Sequence, residues 1–229
     1  MTILFWLAVL PGLFLIYRVY RMDKVEKEPL SLLLLVTILG MISVFPAGVI
    51  EDLLGNVLAM VISPSSLIYV IIENFLVVAL IEEVVKFFVL ERCTWDNPAF
   101  DYEFDGIVYA ICSGMGFAIA ENIMYVFQYG FETGIVRALT AIPAHAIFAI
   151  FMGHYYGAAK TSLYFGDTFL YKKNRKFALL VPTLLHGVYD FVVSVEFILG
   201  DIVFVALVVV LDIIALIKIH KYSRNDKHI

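Results

Sequence analysis

Apolar residues in this chain come in long unbroken blocks separated by short polar connections, with no alternation at a period of two. A helix needs roughly 20 residues to cross a hydrocarbon layer of about 30 Å. Blocks on that scale predict helical spans at 3–17, 30–50, 67–90, 107–129, 138–159, 177–195 and 202–217. Continuous blocks argue against a transmembrane β-barrel, whose strands alternate between lipid and lumen, and helices are the remaining way to satisfy the backbone inside lipid. The stretch 53–62 is apolar but short, contains Asn56 and runs into Ser63, Pro64 and Ser65. It predicts an interfacial or re-entrant helix. The expected fold is all-α, a polytopic transmembrane bundle of about seven spans, or eight if that stretch crosses.

Composition agrees: 62% of the 229 residues are hydrophobic and 16% charged, against about half and a quarter in soluble domains. No linker, repeat or low-complexity tract divides the chain, so residues 1–229 are expected to form one integral membrane domain. The first block has no basic residue before it and no small-residue cleavage site after it, so it reads as a retained span. Cys93 and Cys112 fall in unlike surroundings and give no disulfide framework.

Charge placement supports the span count. With seven crossings, every one of the 16 basic residues except Arg137 falls to one side, including the run 172–176 and, at the end of the third span, Lys86. Basic residues are retained on the cytoplasmic face, which predicts an outside amino terminus and a cytoplasmic carboxy terminus. The net charge of −5 comes partly from acids assigned to outer loops, Glu51, Asp52, Glu132, Glu196 and Asp201.

Other acids lie within spans, where an ionised carboxylate costs about 2.5–3.5 kcal/mol on the most lenient scale. The third span carries Glu82, Glu83 and Lys86; the fourth Glu121 and Asn122; the fifth His145 and His154; the sixth His186 and Asp190. Four consecutive helices thus supply polar groups to one interior. Helix positions four apart share a face, so Glu82 lies over Lys86, and His186 lies over Asp190, whose carboxylate can orient the imidazole. Glu82 and Glu83 project about 100° apart, which predicts that one does chemistry and the other supports it. Gly106, Ala110, Gly114 and Ala118, with Gly153 and Gly157, predict close helix approach around a central fourth span. Asp105 reads as a helix cap. Glu73 and Asp212 are further polar residues within spans, and His154 reads as structural or as a neighbour of the site.

These segments resemble the PrsW family of bacterial membrane proteases, relatives of the CAAX prenyl endopeptidase and bacteriocin-immunity superfamily. The resemblance runs in order through Tyr20, Asp23, Glu26, Glu28 and Pro29; Glu82, Glu83 and Lys86; Phe104, Asp105 and Gly106; Gly116 and Phe117; Glu121 and Asn122; His145; and His186 with Asp190. It implies an intramembrane endopeptidase making the first cut in a membrane-anchored, anti-sigma-factor-like regulator during an envelope-stress response. Its catalytic set would be Glu82, Glu83, Glu121, Asn122, His145, His186 and Asp190. Glu82 would be general base with His145 as partner, and His186 would face the oxyanion. The CAAX-type relatives carry Asn where this chain has Asp190, and an ionised carboxylate cannot donate, so Asp190 is expected to orient His186 and Asn122 becomes a candidate donor.

Amide hydrolysis needs a base for water and donors for the developing negative oxygen. Glu82, Glu121, His145 and His186 also offer enough oxygen and nitrogen for zinc. The absence of a His-Glu-x-x-His signature leaves metal-free water activation the favoured expectation, with no cofactor assigned. Expected partners are a single-span membrane protein substrate and the lipid bilayer, not nucleic acid. Two other classes compete: a proton- or ion-coupled transporter, which also uses intramembrane acids and histidines, and a non-catalytic scaffold of the same fold.

Overall fold

The structure, a computed structural model, describes residues 2–195, 200–224 and 226–229, with the side chains of 200–203, 211 and 212 outside the description. Glu196 therefore lies outside the described residues, as do the side chains of Asp201 and Asp212. The helices are α1 (Thr2–Met22), α2 (Leu30–Val61), α3 (Leu67–Ile72), α4 (Leu80–Thr94), α5 (Asp105–Tyr129), α6 (Phe131–Leu139), α7 (Ala141–Tyr164), α8 (Thr168–Ser194) and α9 (Gly200–Arg224). A π-helical stretch, Glu73–Ala79, joins α3 to α4 without a break. Among the described residues there is no strand beyond an isolated bridge between Tyr102 and His228. The chain is a polytopic membrane helix bundle. Five helical runs are long and apolar enough to cross a membrane: Thr2–Met22, Leu30–Val61, Asp105–Tyr129, Phe131–Tyr164 and Thr168–Ser194. Large apolar side chains such as Leu34, Phe45, Val49 and Val61 face outward, as lipid contact requires.

α5 is the hub. It is buried on every side from its first residue to Ile119 and packs against α1, α2, α4 and α7. The small residues explain this. A methyl group on Gly106 would lie 2.7 Å from the carbonyl oxygen of Gly153 on α7, and one on Gly116 would collide with the backbone of Thr37 on α2. Glycine alone admits helices this close.

Three expectations change. The stretch 53–62 is not a separate interfacial helix but the end of α2; nothing between Ile50 and Leu53 breaks a helix, so backbone bonding continues to Val61. Glu51 is consequently a helix residue and not a loop acid. α8 begins at Thr168, so the basic run 172–176 forms its exposed first turns. Lys86 is no loop charge: it is 2% exposed within the bundle.

The last turns of α1 and α9 carry Arg21, Lys221 and Arg224 and meet, giving the bundle a basic end where connections come together. Ser223 at the end of α9 donates to Met22 O at the end of α1 (2.5 Å), and Phe104 N donates to Asp226 Oδ1 (2.9 Å). Glu103 N and Ile229 N pair with Lys227 O and Asp101 O, strapping the carboxy-terminal tail across the loop before α5. Asp105 is the first residue of α5, and its Oδ2 accepts from Asp101 N and Tyr102 N, upstream of the helix. It braces that loop and does not cap the helix's own amides, because the loop turns back over it.

Candidate active site

The middle of the bundle holds a compact cluster of charge. α4 begins immediately after the π-helical stretch and brings Glu82 and Glu83 to the face of α8. Lys86 Nζ bonds Glu82 Oε2 at 2.8 Å and Glu83 Oε1 at 2.9 Å, and lies 3.3 Å from His145 Nδ1. His186 Nδ1 is 3.0 Å from Glu83 Oε1, and its Nε2 is 3.8 Å from Glu82 Oε2. The two glutamates therefore converge, contrary to the expectation from their directions on the helix. Their side chains are long enough to close the angle, and Lys86 and His186 reach between them. All five side chains are buried or nearly so, yet each is paired, as buried charges must be.

The histidines are oriented from behind. His145 Nε2 is 3.1 Å from Glu121 Oε2, which also receives Arg137 NH2 at 2.7 Å. His186 Nε2 is 3.2 Å from Asp190 Oδ2, near enough to attract but not aligned as a hydrogen bond, so that oxygen remains without a bonded donor. The rings of His145 and His186 meet edge to face at 5.2 Å, and Phe148 stacks on His186 at 4.7 Å. These contacts fix which ring nitrogens face the glutamates.

A cavity of about 1020 Å³ opens onto this cluster. Glu82, His145, His186, Glu121 and Asp190 line it; Glu83 lies behind. Glu51 of α2 also lines it, with Oε1 buried and unbonded among the described residues. Arg137, from the short α6, hangs over the same space.

The structure thus brings together Glu82, Glu83, His145, His186 and Asp190, with Glu121 one step out. Asn122 is placed elsewhere. It is fully buried, its Nδ2 donates to Ala8 O at 3.0 Å and its Oδ1 accepts from Arg137 Nε at 3.0 Å. Both ends of the amide are engaged by the fold, and Asn122 is not among the residues lining the cavity, so it does not face the space where an oxyanion would form. His154 stacks on Tyr222 at 3.9 Å and is structural. Glu73 accepts from Tyr69 OH at 2.9 Å, outside the cluster. Sequence reasoning missed Glu51 and Arg137 as site residues. The unbroken helical pattern through position 51 could have revealed the first; nothing local reveals the second, which reaches Glu121 from a different helix.

Four donors, Glu82, Glu83, His145 and His186, offer ligand atoms within 4.8 Å of one another. This set differs from the expected one: Glu83 stands in for Glu121, whose carboxylate takes the far side of the His145 ring. Two imidazoles and two carboxylates form a donor set that suits zinc. The ammonium of Lys86 touches three of the four, so it must withdraw when an ion enters.

A family profile described as PrsW family intramembrane metalloprotease matches residues 28–217. Among curated relatives, Protease PrsW of Oceanobacillus iheyensis is 36% identical over 218 residues, covering 95% of each chain. Protease PrsW of Geobacillus kaustophilus is 40% identical over 186 residues, covering 80% of this chain and 76% of the relative. Protease PrsW of Bacillus subtilis is 34% identical over 187 residues, covering 82% and 81%. No solved structure matches.

Proposed function

The chain belongs to the PrsW family and is a membrane peptidase, and from that premise we propose that it cleaves a single-span, anti-sigma-factor-like membrane protein at the cluster between α4, α7 and α8. The observation that carries this reading is the convergence of Glu82, Glu83, His145 and His186, with Glu82 and both histidines on the wall of a large intrabundle cavity and Glu83 just behind it. A substrate helix unwound beside that wall would present its amide to buried, preoriented groups. An amino terminus outside and a carboxy terminus in the cytoplasm follow from the basic end of the bundle.

Roles divide by position. A catalytic zinc commonly takes three protein ligands and leaves a position open. His145, His186 and the recessed Glu83 would hold it, with Glu121 and Asp190 orienting the two imidazoles from behind. A bound zinc would supply positive charge to polarise the scissile carbonyl. Glu82, which lines the cavity, accepts a proton from water as the water oxygen attacks the carbonyl carbon. It then returns that proton to the amide nitrogen as the carbon–nitrogen bond breaks. Arg137, which lines the cavity, adds positive potential around the developing negative oxygen. The donor set and the family's description as metalloproteases favour this over metal-free water activation.

The test is reconstitution of the full chain in vesicles with a single-span substrate. Glu82→Gln should lower cleavage by about 10²–10⁴-fold, the range for losing a general base, while the melting profile stays cooperative. Equal cleavage by both proteins would remove Glu82 from the mechanism.

A further inference from the structure

A second group of buried carboxylates lies at the basic end of the bundle, away from the cavity. Asp23 and Glu28 come from the α1–α2 connection and Asp105 from the start of α5; they are 2%, 3% and 1% exposed. Their carboxylates offer one oxygen each within 4.8 Å of one another. No basic side chain is bonded to them among the described residues. Lys27, which precedes Glu28, spends its ammonium on the backbone carbonyls of Tyr20 and Asp23. Tyr109 OH donates to Glu28, and Asp105 Oδ2 takes two backbone amides. Asp23 Oδ2 has no bonded donor at all.

Three carboxylates this close repel one another, and burial removes the water that would screen them. A proton or a cation must intervene. The surrounding architecture favours a cation. Two of the acids are braced in place by their own donors, and the third, Asp23, offers an oxygen to the group while its buried Oδ2 has no bonded donor. All donors are oxygens, which selects a hard divalent ion over zinc.

We propose that Asp23, Glu28 and Asp105 form a structural site for a hard divalent cation, of the calcium or magnesium class, that clamps the α1–α2 connection to the start of α5. The position is mechanically apt. Asp105 braces residues 101–102, and the adjoining Glu103 and Phe104 hold the carboxy-terminal tail through Lys227 O and Asp226. One ion there joins α1, α2, α5 and the end of α9. The inference is independent of the hydrolytic reading, since no residue is shared between the two clusters.

The experiment uses the full chain in detergent, stripped of metal and then titrated with Ca²⁺ or Mg²⁺ alone while the melting temperature is followed. The parent should gain several degrees with at least one of the two ions. Asp23→Asn removes one ligand charge but leaves its backbone contacts, and should need at least tenfold more ion for the same gain. Glu28→Gln provides a second variant should Asp23→Asn fold poorly, with the same expectation. Equal response of parent and variant would place the ion elsewhere and overturn the proposal. So would a parent that is stabilised by acid but indifferent to both ions, which would put a proton in the cation's place.

Discussion

Two buried acid clusters divide this protein, and they differ in what neutralises them. The central one pairs Glu82 and Glu83 with Lys86 and two imidazoles, every group satisfied by another side chain. The one at the basic end gathers Asp23, Glu28 and Asp105 without a bonded basic side chain among the described residues. Desolvation there lifts Asp23 to about 6 and Glu28 to about 7. Burial penalises bare charge in both places, so the difference is informative. A cluster with its own ammonium and mixed nitrogen and oxygen donors can exchange that ammonium for a metal and still be neutral enough to persist. An all-oxygen cluster has no internal substitute. Such contrast separates a centre that must open to substrate from a joint that only has to hold.

The comparison breaks most sharply at Lys86. Replacing it in Lys86→Met leaves two buried carboxylates facing each other, and removing one partner from a buried pair costs about 3–5 kcal/mol. Denaturation of the metal-free variant should show that loss. Zinc should restore much of it, because an ion at the same donors takes over the ammonium's role. A variant as stable as the parent without metal would mean that Lys86 does not compensate the glutamates.

A smaller effect is expected at the rim. Arg137→Ala releases Glu121, which holds His145 through Nε2. Losing a partner that orients a ligand typically costs about 10–100-fold in activity or metal affinity. Arg137→Lys keeps the charge and should recover part of the loss in the vesicle assay. Identical behaviour of the two substitutions would argue that the guanidinium's double contact to Glu121 and Asn122 is unimportant.

How much of this could be read from sequence varies by feature and for physical reasons. Helices long and apolar enough to cross were visible because lipid demands continuous apolar runs. His186 over Asp190 and Glu82 over Lys86 were legible because helix periodicity fixes i,i+4 neighbours. The pairing of Glu83 with His186 was not, since it joins residues more than a hundred positions apart. Neither was the π-helical stretch Glu73–Ala79, whose residues carry no breaker and which packs on α8. Nor was the placement of Asn122 legible, because its tie to Ala8 O depends on how α1 lies against α5. Asp23 and Glu28 stood out in sequence only through resemblance; their meeting with Asp105 depends on the fold.

The central claim is that the two clusters hold different cations by virtue of their donors. Elemental analysis of the full chain, equilibrated with zinc, calcium and magnesium together and freed of excess, tests it directly. The parent should carry one zinc and one calcium or magnesium, and His186→Ala should lose the zinc alone. Retention of zinc by that variant, or loss of the calcium or magnesium along with it, would contradict the account.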